Sequence, residues 1–168
     1  MKTFKELYED IEVTDRTGKA LDVAQEYIKT YKTTRRPVPK IIEKGRELKL
    51  NPLMIVILDN RGAVKACLAE DGTSPLRFGI AYGKANGAFQ MSMGSRALFN
   101  RAEQQAYFID AINTMADGNL VPVPGGVLIR NNNKEIIGSL GISGDSSDND
   151  EIAAIHGIEG VNLTPDIG

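Results

Sequence analysis

Only a few residues of this 168-residue chain are of types that do chemistry, and several gather near its end. His156 is the only histidine. It falls in the last turn of a helix predicted over 148–156, where the helix dipole favours a cation, and imidazole is also a common metal ligand. A surface histidine and a ligand are both open readings. Asp145, Asp148, Asp150 and Glu151 suggest a cation site, but the EF-hand spacing fails. Counted from Asp148, Ile152 takes the fifth position and Ala153 replaces the required glycine. A helix start explains the same acids: Ser147 or Asp148 can cap, and carboxylates in the first turn meet the positive end of the dipole. Gly125 and Gly126 permit positive φ and close backbone approach, which suits either a bulge or the floor of a ligand site. Arg96 and Arg101 carry planar guanidinium forks that match a carboxylate. Met91 and Met93 offer sulfur in principle and fill gaps by habit. There is no G-x-S-x-G, Walker loop, H-E-x-x-H or Cys-x-x-Cys motif.

The elements that would position these residues follow from periodicity. Leu53–Leu58 is a continuous apolar run of strand length, read as a strand covered on both faces. A turn at 59–62 returns the chain into Val64–Ala69, where Cys67 is read as a small, partly buried residue opposite Val64 and Leu68. Val127–Ile129 and Ile136–Ile142 read as a hairpin closed by Asn131–Lys134, since asparagine tolerates left-handed backbone. The capped helix follows, with Gly157 placed to stop it. Val121–Val123 reads as a short edge strand.

Helices are predicted over 2–13, 18–31 and 39–49, the last after the punctuation of Pro37 and Pro39. Another starts at Ser74-Pro75, and one or two more span 91–118, broken near Gly94. Within the 74–91 helix, Gly79, Gly83 and Gly87 recur every four residues. Each costs about 0.8–1 kcal/mol against alanine, so this face reads as a close backbone contact with sheet, partner or flat ligand. Hairpins separated by helices give an α+β class, an antiparallel sheet with helices packed on it. Residues 1–36 read as a broken helical extension and 37–168 as the α+β domain.

Composition narrows the function. A net charge of −2 argues against a dedicated polyanion binder. Residues 29–49 hold eight basic against two acidic side chains, a local +6. No recognition motif accompanies it, so a solvated face is preferred to a nucleic-acid site. A single cysteine forbids an internal disulfide, and no run approaches the ~20 apolar residues of a membrane span. The N-terminal MKTFKELYEDIEV lacks the apolar core of a signal peptide, so a cytoplasmic protein is expected.

The ordered set Asp71-Gly72, Gly83-Lys84-Ala85, Ser95-Arg96-Ala97-Leu98, PVPGGVLIR, IIGSLGISGD and SDNDE covers the last two thirds of the chain. It resembles the GlcG/HbpS-type haem-binding (haem-degrading) family. The resemblance implies a profilin-like or PAS-like layer and a homo-oligomer binding haem or a related tetrapyrrole, for sequestration, sensing or degradation. It also implies Lys84 and Arg96, the cations of its motifs, as propionate partners. The family has no uniform haem ligand to carry over, so His156 stands as the axial candidate because it is the one imidazole, and Gly125 and Gly126 as a ligand floor on their own residue type. A non-enzymatic oligomeric module, or a binder of another organic acid held by Lys84 and Arg96, remains the alternative.

Overall fold

Leu53–Leu58 has no polar residue to mark an outer face, and the chain covers it on both sides. The computed structural model describes residues 37–168; the helices predicted over 2–13 and 18–31, and the proposed 1–36 extension, lie outside them. Strand β1 (Met54–Asp59) is buried along its whole length, near the middle of the sheet. The turn after it brings back β2 (Val64–Ala69), and Gly62 sits there at φ 78. β3 (Gly126–Arg130) and β4 (Ile136–Ser143) form the predicted hairpin. The left-handed residue of its turn is Lys134 (φ 64) rather than an asparagine. Asn131 contributes through its side chain instead, accepting from the N–H groups of Asn133 and Glu135. A short β5 (Thr164–Asp166), not foreseen, completes the order β2-β1-β4-β3-β5, every neighbouring pair antiparallel.

Among the described residues five helices accompany the sheet, and three of them cover its two faces. α1 (Pro37–Glu47) starts earlier than predicted, because Pro37 and Pro39 stand in its first turn, where a missing N–H costs nothing. α2 (Arg77–Met91) starts later than predicted; Ser74 and Pro75 form the turn before it. α3 (Ser95–Gln104) and α4 (Ala106–Met115) follow the break at Gly94. α5 (Ser147–Glu159) is capped by Ser146, one residue before the nearer of the two predicted caps, and its Oγ accepts from Asn149 N at 3.2 Å. It also runs on through Gly157, because that glycine lies against Ile41 of α1 and needs no stop there. α1 and α5 pack on one face of the sheet, where Ile41 and Ile158 meet Ile55, Ile57, Leu140 and Ile142. α2 packs on the other, Ala81 and Ala85 against Met54, Val56 and Leu58.

Two expectations are corrected. Val121–Val123 is not a strand: it lies across α2, with Val121 N donating to Gly83 O at 3.1 Å. Cys67 is exposed rather than partly buried, because β2 is an edge strand. A bulge between Ile57 and Leu58 also breaks the alternation that related it to Val64.

Candidate functional site

The start of α5 gathers four of the five residues read as a ligand site. Lys84, on α2, reaches round the beginning of β3 to Asp150 on α5, Nζ to Oδ2 2.8 Å, with the side chains 2% and 0% exposed. Asp150 Oδ1 accepts a second bond from Asp145 N at 3.0 Å. Loss of water dominates both groups: it pulls Lys84 below and pushes Asp150 above the ordinary value, each partly offset by the partner's charge. Gly125 and Gly126 make the room. Gly125 has φ 108, and a Cβ there would come 3.0 Å from both Lys84 Nζ and Asp150 Cβ. A Cβ on Gly126 would run into Lys84 O, and Gly126 N donates to Ser95 Oγ at 2.7 Å.

Arg96 stands at the start of α3. Its fork donates to Glu151 Oε1 at 3.2 Å (Nε) and 2.8 Å (Nη2), and Nη2 also reaches Asp148. These two carboxylates raise its pKa further. Glu151 Oε2 is buried without a hydrogen-bond partner. The cluster therefore ties α2, α3, β3 and α5 together by charge. Its two cations are already engaged by acids of the same chain.

His156 stands apart, six residues along α5 and about 9 Å further down its axis. It is half-buried beside α1. There Glu43 is held below its usual pKa, first by the Lys40 hydrogen bond and charge and in smaller part by His156. Exposed Ile152 lies one turn before His156 on the same side of the helix. Arg101 lies over the Phe108 ring, 3.8 Å from its centre. Met91 and Met93 fill space against Leu98, Ile109 and Leu120. Among the described residues no group of three or more His, Cys, Asp or Glu could hold a metal ion.

Sequence reasoning did not single out Asp150 from its acidic neighbours. One signal was available: Asp150 precedes Ala154, Gly157 and Ile158 at helical spacing, which puts it on the buried stripe of α5. Ser95, the partner of Gly126, had no comparable signal.

A five-stranded antiparallel sheet with helices on both faces, cross-tied at the start of its last helix, defines a small α+β domain class. Within it the family is clear: the model of the haem degrading protein HbpS-like family matches residues 30–159, and the chain belongs to that family. Solved structures share the fold. A PduOC–haem complex superposes with a TM-score of 0.70 at 22% identity, over 78% of this chain and 93% of that one. Klebsiella pneumoniae protein ORFY gives 0.70 at 16%, over 79% and 89%. HbpS gives 0.63 at 19%, over 76% and 85%. No curated protein sequence matches the chain.

Proposed function

We propose that this protein binds haem or a related tetrapyrrole as an assembly of identical chains. The observation that carries the reading is the family match over residues 30–159, and the haem complex of a PduOC domain with the same fold supports it. Of two places for the ligand, the chain's own residues favour one. The Lys84–Asp150 cluster does not fit a propionate clamp: Lys84 is buried and paired, Gly125 and Gly126 are closed over by its side chain and backbone, and Arg96 already holds two carboxylates. His156 fits better. It offers the chain's only imidazole, with exposed Ile152 as an apolar neighbour; Lys40, packed at Gly160, is a cation there whose Glu43 pair is solvent-exposed, unlike the buried pairing of Lys84. When bound, haem would supply the redox chemistry; His156 would supply an imidazole donor, Ile152 apolar contact and Lys40 a charge for a propionate.

A haemin titration followed by absorbance tests this. The wild type should saturate with a distinct Soret band, and His156→Ala should move that band because the axial ligand sets the iron's electronic state. Lys40→Ala should weaken affinity several-fold without moving it. Weak, non-saturating uptake by the wild type would remove the haem reading and leave an interaction module in its place.

Assembly belongs to the same proposal. Leu76, Tyr107 and Met115, 72%, 74% and 84% exposed, are the apolar side chains that subunit contacts would cover. A cytoplasmic location is supported by the free Cys67, and cell fractionation tests it. No helix among the described residues is long and apolar enough to cross a membrane.

A further inference from the structure

The two edges of the sheet are built differently. β5 is three residues long and contains Pro165, both ordinary ways to blunt an edge. β2 is six residues long and has no proline; its lysine, Lys65, and its bulge both fall near the start of the strand, and among the described residues the outer side of 66–69 pairs with nothing. Glu70 N donates to Leu53 O at 3.0 Å. Counted back from that pair through Ile55↔Leu68 and Ile57↔Ala66, the antiparallel alternation turns the backbone of Ala66 and Leu68 inward. The N–H and C=O groups of Cys67 and Ala69 then point outward.

We infer that β2 is the seam on which a second copy of this chain docks, the two strands pairing antiparallel about a two-fold axis at Cys67. The inference rests on the assembly proposed above and adds its surface. A two-fold axis can join only residues of the same outward set, which puts Cys67 opposite Cys67 of the second copy, with Ala69 running alongside the bulge at Lys65. Charge supports that direction. Arg61 and Lys65 stand at the start of the strand with only Asp59 between them, at 3.0 and 3.6 Å. Glu70, whose Oε2 accepts from Leu53 N at 2.9 Å, and exposed Asp71 stand at its end. Antiparallel pairing lays each basic start along the other copy's acidic end. One apolar side chain of the strand itself lies open: Val64 is 48% exposed.

Cys67 is the chain's only cysteine and therefore reports on the seam directly. Residues directly opposite in such a pair have Cα atoms about 5.5 Å apart, within the ~4.4–6.8 Å a disulfide spans. Copper–phenanthroline in air should take two electrons and two protons from the paired thiols and cross-link the full-length chain into dimers. The cross-linked fraction should be unchanged by moderate dilution. Cys67→Lys sets two ammonium groups face to face, and Ala69→Pro removes an outward N–H without touching the ladder to β1. Each should lower the sedimentation mass at least twofold while circular dichroism stays native. A wild type that sediments as one chain would overturn both the assembly and this seam. A stable oligomer whose mass ignores both variants, or whose cross-linking falls in proportion to dilution, would overturn the seam alone.

Discussion

The two faces of the sheet are covered by opposite means. On the α1 and α5 face, branched side chains fill the gap: Ile55, Ile57 and Ile142 meet Ile41 and Ile158. On the α2 face, the backbone itself comes close. A Cβ on Gly141 would strike Ala81 O, and one on Gly126 would strike Lys84 O. Ser139 Oγ donates to Ala85 O at 2.9 Å across the same contact. The first face is held by volume, which can relax by rotamer changes; the second by main-chain proximity, which cannot. The close approach also explains where the charge goes. With α2 so near the sheet, Lys84 is too long to lie under the helix and turns round the β3 start to Asp150. The glycines that bring α2 down are part of what seats the buried pair.

One-carbon changes on the two faces should therefore differ most. Gly141→Ala should cost more than the about 1–3 kcal/mol of ordinary overpacking, enough to leave little folded protein, since the obstacle is backbone. Ile142→Val, a neighbouring one-carbon deletion on the other face, should cost only about 0.5–1.5 kcal/mol. Similar losses in a urea titration would erase the distinction. Lys84→Met comes next, at about 3–5 kcal/mol, because it leaves Asp150 buried and unpaired. Asp150 already has a raised pKa, so its burial is easiest below its unfolded value and worsens as pH rises through the folded one. The deficit of Lys84→Met should accordingly shrink toward acid pH, and Lys84→Met with Asp150→Leu should recover much of it. A pH-independent deficit would mean that the carboxylate is not the cause.

Asp145 has the opposite sign. Bonds from Asn51 N, Asn149 Nδ2 and Ser146 N hold it down at about 2. Its stabilisation is present above the unfolded value of about 3.9 and is lost as pH falls through about 2. Asp145→Ala should remove that part of the acid unfolding slope and leave the profile above pH 5 parallel to wild type. The smallest effect separates the glycines of α2 from one another. Gly83 and Gly87 lie under Val121 and Leu120, whereas Gly79 has nothing within 4 Å. Gly79→Ala should stabilise by about 0.8–1 kcal/mol from helix propensity alone. Gly83→Ala should gain less or lose, because Val121 Cγ2 would have to move from 2.6 Å away. An equal gain at both positions would show that the 120–121 crossing is loose.

Local signals made most of the architecture legible. The unbroken Leu53–Leu58 run announced a buried strand, Asn131–Lys134 a hairpin turn, and the acids after Gly144 a helix start. Each rests on a preference that acts within a few residues, so no distant partner was needed to read it. The four-residue grouping of Lys84, Arg96, Gly125 and Gly126 was legible through family resemblance, although its engagement by internal carboxylates was not. Whether Val121–Val123 joined a sheet edge or crossed α2, whether Gly157 ended a helix or touched Ile41, and which of four acids took Lys84 were decided only by packing. A glycine or a carboxylate has the same local preferences in either setting. What separates the settings is the cost of an added Cβ or an unpaired charge against a neighbour brought from some 40 to 120 residues away in the chain, and that neighbour exists only once the layers have closed.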